Sequence, residues 1–101
     1  MRPQDRTTAR RQLDKRLDPL RNHEGFARPP RGWIKAVREA LGMTTAQLAE
    51  RLGVSQPRAV AIEKAETTNS ITLDSLQRAA RALDCELVYA LRSRNPATIR
   101  M

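Results

Sequence analysis

Apolar residues recur along most of this chain at the three-to-four-residue spacing of helices that bury one face. Leu13, Leu17 and Leu20 fall at that spacing and predict a basic amphipathic helix over residues 7–20, with Arg10, Arg11, Lys15 and Arg16 on its other sides. Pro19 ends or kinks it, and residues 21–32, with Pro29-Pro30, read as a semi-rigid linker. The compact part begins at Trp33. Ile34, Val37 and Leu41 share a face, and Gly42 takes the C-terminal cap position. Thr44 followed by Gln47 is a capping-box pattern, opening a helix that buries Leu48, Ala49 and Leu52 and stops at Gly53. Ser55 caps the next helix, Pro57 sits in its first turn, and Ala59 and Ile62 point inward. "KAETTNS" reads as a loop. Thr72 caps a last helix whose apolar side is Leu73, Leu76, Ala79, Ala80 and Leu83.

The pattern then changes period. Cys85, Leu87, Tyr89 and Leu91 alternate, which predicts a single β-strand. A lone strand has two unpaired edges, and the simplest partner is the same strand of a second copy.

Composition narrows the class. One domain is the default for 101 residues. Aromatics make up only 3%, so the core is aliphatic, as in small helical proteins. The formal charge of +8 calls for a polyanionic or acidic partner. Residues 1–32 hold nine basic and four acidic residues, so the excess is greatest at the N-terminal end. The single cysteine leaves no internal disulfide and no Cys-based metal site. No membrane-spanning run and no signal-peptide pattern is visible, which leads us to expect a cytoplasmic protein. No paired carboxylates, His-centred cluster, phosphate-cradling loop or metal-ligand set suggests an enzyme or a cofactor.

Two short helices around a Gly-Val-Ser corner, residues 43–63, have the proportions of a helix-turn-helix. In that motif the start of the second helix faces the major groove. Gln and Arg there suit adenine and guanine edges, and Ser and Thr hydroxyls suit phosphate oxygens.

The stretch "LGMTTAQLAERLGVSQPRAVAIEKAE" resembles the Xre/Cro-type helix-turn-helix family over about residues 33–84. Most of the chain resembles a narrower group, mobile mystery protein A, on "LDKRLDPLR", "PPRGWIKAVREALGM", "LGVSQPRAVAIEKAE" and "ITLDSLQRAARALDCELVYAL". The resemblance implies a lambda-repressor-like bundle and a small DNA-binding protein, often encoded beside a Fic-domain protein in an antitoxin-like arrangement. It implies phosphate contacts for Thr44 and Thr45, and groove-facing roles for Ser55, Gln56 and Arg58. Ala61 matches a second base-facing position, where it offers only apolar contact. Arg38 and Glu63 match a structural ion pair. Among Fic inhibitors a helical Ser or Thr precedes Glu and Gly; "LRNHEG" supplies Glu24 and Gly25, with Leu20 where the hydroxyl belongs.

The expectation is therefore a mostly α chain. A basic N-terminal helix and Pro-rich linker fill residues 1–32, a helix-turn-helix domain 33–84, a dimerisation strand 85–92 and a tail 93–101. The expected partners are double-stranded DNA and a second copy, which meets the first through Cys85, Leu87, Tyr89 and Leu91. The expected function is repression by a homodimer on a palindromic operator, autoregulating a toxin-antitoxin-like operon. The alternative is an antitoxin that inhibits an adjacent Fic-domain enzyme through the N-terminal segment, with Leu13, Leu17 and Leu20 as the gripping residues.

Overall fold

The structure is a computed structural model and describes residues 2–21 and 23–92. Its described residues fall into two compact units, one of residues 28–88 and one that joins residues 2–21 and 23–27 with 89–92. The tail expected over residues 93–101 lies outside the described residues.

The first unit holds four helices: α2 (Trp33–Ala40), α3 (Thr45–Leu52), α4 (Gln56–Thr67) and α5 (Leu73–Ala82). Their starts follow the local chemistry of the chain. Thr44, Ser55 and Thr72 each stand in extended backbone and accept a bond from the amide three residues on, which satisfies a helix-start N–H. Thr44 and Gln47 complete a reciprocal capping box.

All four helices end the same way. The amides of Met43, Val54, Ser70 and Cys85 reach back to the carbonyls of Arg38, Ala49, Ala65 and Ala80. Each closure needs one left-handed residue just before it. Gly42 (φ 68°) and Gly53 (φ 70°) take that conformation without a Cβ penalty, whereas Asn69 (φ 60°) and Asp84 (φ 59°) carry side chains there. Asp84 is exposed and makes no side-chain bond among the described residues. Asp84→Gly therefore raises stability by about 1 kcal/mol, read as a higher urea midpoint. An unchanged or lower midpoint counts against this account.

The core is Ile34, Met43, Leu48, Ile62, Ala79 and Leu83, with Val37, Leu52, Ile71, Leu76 and Ala82 packed against it. Leu41 and Leu73, expected inside, are 56% and 49% exposed. Leu41 is the cap residue where α2 unwinds, and Leu73 opens α5 at its outer edge. Most of "KAETTNS" is not the expected loop: α4 continues to Thr67 and buries Glu66.

Glu66 closes a long-range clamp. Gly32 has no side chain to cap α2, so the Glu66 carboxylate accepts from the amides of Trp33 (2.8 Å) and Ile34 (3.0 Å). A Cβ on Gly32 would lie 2.7 Å from Glu66 Oε1, and φ is +92°. Only glycine brings the chain this close to the carboxylate in this conformation. Arg28 ties the same corner by donating to the Glu66 carbonyl (2.8 Å) and Asn69 Oδ1 (2.7 Å).

One turn earlier, Glu63 forms a buried two-pronged ion pair with Arg38. A third donor, Arg38 Nη1, bonds the Met43 carbonyl (2.8 Å) in the α2–α3 turn. The hydrogen bond to Glu63 raises the Arg38 pKa against the opposing effect of burial, so the guanidinium stays charged.

In the second unit, α1 (Pro3–Leu17) starts with proline at its first position and ends before Pro19 in a 3-10 turn, Asp18–Leu20. Arg21 pairs with Asp18 at 2.7 Å. A second 3-10 turn, Glu24–Phe26, forms where the Gly25 amide donates to His23 Nδ1, and Phe26 meets the His23 ring edge-on. Glu24 and Gly25 are thus not helical in the α sense that the inhibitor pattern requires. Arg92 donates to the carbonyls of Leu20 and His23.

Two expectations are corrected. The helix is present, but it is not cleanly amphipathic: no residue of α1 is buried. Arg6 and Arg10 fall on the same side as Leu13 and Leu17 by helical spacing. The C-terminal strand is absent as well, since no strand occurs among the described residues. Cys85, read as its first residue, is used by the end of α5 through its bond to Ala80. Residues 86–91 then make no hydrogen bond among the described residues, so alternation alone builds no ladder.

Candidate nucleic-acid interface

The α3–turn–α4 corner collects the expected site residues at one place. Thr44 is the exposed cap of α3, and Thr45 is its first, half-buried residue. Gln56 opens α4, and its amide nitrogen donates to Thr45 Oγ1 at 2.9 Å. This bond joins the starts of the two helices, across eleven residues of chain, and the sequence does not announce it. It uses one of the two amide protons of Gln56. The carbonyl oxygen and the second proton remain, which is the pair needed against an adenine edge.

Ser55 is exposed and accepts from the Arg58 amide at 3.2 Å. Both this hydroxyl and that of Thr44 act as acceptors within the caps, so each keeps its own proton for an outside acceptor such as a phosphate oxygen. Arg58 is exposed, and its guanidinium has no partner among the described residues. Ala61 lies one turn further along α4 and is exposed. Pro57 has no amide proton, which removes one donor that a helix start otherwise offers to an anion.

The remaining candidates lie elsewhere. Leu13 is 44% exposed, and Leu17 and Leu20 are half-buried in the end-joining unit. Cys85 is exposed with its thiol 3.4 Å from the Leu83 carbonyl, Leu87 is half-buried, and Tyr89 and Leu91 are 67% and 84% exposed. Val88, on the opposite phase, is exposed too (68%), so no single side of this segment faces inward. Trp33 is 41% exposed at the start of α2. No cluster of three metal-ligating side chains exists among the described residues, and no described helix is long and apolar enough to cross a membrane.

A four-helix unit with a capped helix, a left-handed glycine turn and a second capped helix that exposes its first turn defines the class of helix-turn-helix proteins. A family model described as helix-turn-helix matches residues 34–89, more than half of the chain, and the protein belongs to that family. It is a family of DNA-binding regulatory domains. The match leaves α1 outside, and it does not reach the narrower mobile mystery protein A group. No curated protein and no solved structure matches the chain.

Proposed function

We propose that the protein is a sequence-specific transcriptional repressor that binds a palindromic operator as a homodimer and controls its own operon. The observation that carries the reading is the exposed first turn of α4, where Gln56 is held by Thr45 and Arg58 is exposed beside it. Holding Gln56 in place lowers the ordering cost of base contact. Pairing of two copies is supported by Tyr89 and Leu91, apolar side chains left 67% and 84% exposed.

The test is titration of the protein against labelled duplex from upstream of its own gene and against a scrambled duplex of equal composition, at moderate salt. We expect retention of the first, release of the second, and two chains per bound duplex. Gln56→Ala costs about 1–3 kcal/mol on the native site and relaxes preference at one base pair per half-site. Equal affinity for both duplexes rejects the operator-reading role, and one chain per duplex rejects the dimer.

A further inference from the structure

We propose that α1 is a phosphate-binding arm that supplies most of the salt-dependent part of DNA affinity; the inference rests on the reading of the protein as a DNA binder. It begins with a deficit. The helix-turn-helix stretch, residues 43–63, contains two cations, Arg51 and Arg58, and two anions, Glu50 and Glu63, and so carries no net charge.

The surrounding unit adds little. Of the nine cations in residues 28–88, three are committed to the fold. Arg28 holds Glu66 and Asn69, Arg38 is buried on Glu63 and Arg51 bonds the Ala82 carbonyl, whereas Arg78 pairs with Asp74 only at the open surface. Seven acidic residues bring the unit to a net +2. Proteins that hold duplex DNA through its backbone neutralise about 6–10 phosphates. The reading unit is poorly equipped for that alone.

The missing charge lies in residues 2–21, which contain seven cations and three anions, Asp5, Asp14 and Asp18, a net +4 on twenty residues. Six of them, Arg2, Arg6, Arg10, Arg11, Lys15 and Arg16, are exposed; Arg21 is half-buried on Asp18. No residue of the helix is fully buried and only Ala9, Asp14 and Leu17 are half-buried, so packing accounts for little of its presence. An isolated helix of this length is marginal in water, and a polyanion along it would offset the mutual repulsion of its charges. Arg6 and Arg10 share the side of Leu13 and Leu17, which breaks up the apolar stripe that an amphipathic helix lays into a protein groove. Charge all round the helix fits a phosphate backbone better than an apolar partner.

The test is a salt titration of the full chain on a labelled random-sequence duplex, compared with a variant carrying Arg6→Gln, Arg10→Gln, Arg11→Gln and Lys15→Gln. Glutamine keeps nearly the same helix propensity, and circular dichroism checks that the helix survives. The slope of log Kd against log salt should shrink by about 0.9 for each phosphate that the variant no longer neutralises, hence by about 2–4 in total. Arg11→Glu alone should move the slope in the same direction. An unchanged slope and affinity in both variants overturns the arm. The operator and scrambled duplexes are titrated alongside. A wild-type protein without sequence preference, whose slope still falls in the variants, removes the repressor reading and keeps the arm. Sequence preference with an unchanged slope removes the arm alone, and failure to bind any duplex removes both.

Discussion

Glu63→Ala lowers the unfolding free energy of the helix-turn-helix unit by about 3–5 kcal/mol, the range for leaving one partner of a buried ion pair uncompensated. The side chains of Arg38 and Glu63 are only 10% and 8% exposed, so water does little to solvate the guanidinium left behind. A small domain has about 5–15 kcal/mol in all, so this one change removes a large part of it. Replacing the pair together, Arg38→Met with Glu63→Leu, recovers most of the loss because no charge stays buried. Urea unfolding checks both, with midpoints compared at constant slope. A single-variant loss below about 1 kcal/mol would show that water or another group takes the place of Glu63.

Glu66→Ala costs about 2–4 kcal/mol by a different route. It strands the amides of Trp33 and Ile34, and each buried donor left without a partner costs about 1–3 kcal/mol. Ile34 is 2% exposed, whereas Trp33 is partly open to water, so the Ile34 amide accounts for more of the loss. Glu66→Gln recovers only part, since one of its two terminal atoms becomes a donor facing a donor. Hydrogen exchange of the Ile34 amide gives a local readout. If Glu66→Ala leaves its protection unchanged, the clamp is not what holds the start of α2.

The reach of each signal decided what the sequence disclosed. The caps at Thr44, Ser55 and Thr72 are local, each satisfied three residues away, and were legible in the sequence. The site corner was legible for the same reason, because two caps and Gly53 fix the path of the chain between α3 and α4. The Arg38–Glu63 pair was implied by family resemblance, and its partners lie 25 residues apart. The Glu66 clamp spans 32 and 33 residues and left no local pattern, so its segment read as a polar loop. The Gln56–Thr45 bond was hidden likewise, since each side chain has an obvious use at its own helix start. The alternating C-terminal segment misled because period two says which side a residue points to, not that a neighbouring backbone is present. Asp84 was the counter-signal: a residue of the type that tolerates the left-handed region, directly after the helix pattern.

Glu63 and Glu66 stand one turn apart on α4, and both grip α2. The C-terminal part of α4 is therefore pinned to α2. Gln56 lies seven residues from the Glu63 pin, about 10 Å along the axis. A tilt of about 5° at that pin swings Gln56 through about 1 Å, more than a base-edge hydrogen bond tolerates. The fully buried Ala59 and the bond to Thr45 steady that end. In the proposed repressor, loosening at Glu63 thus registers first as a failure of aim, with α4 still helical and the wrong bases accepted as readily as the right ones.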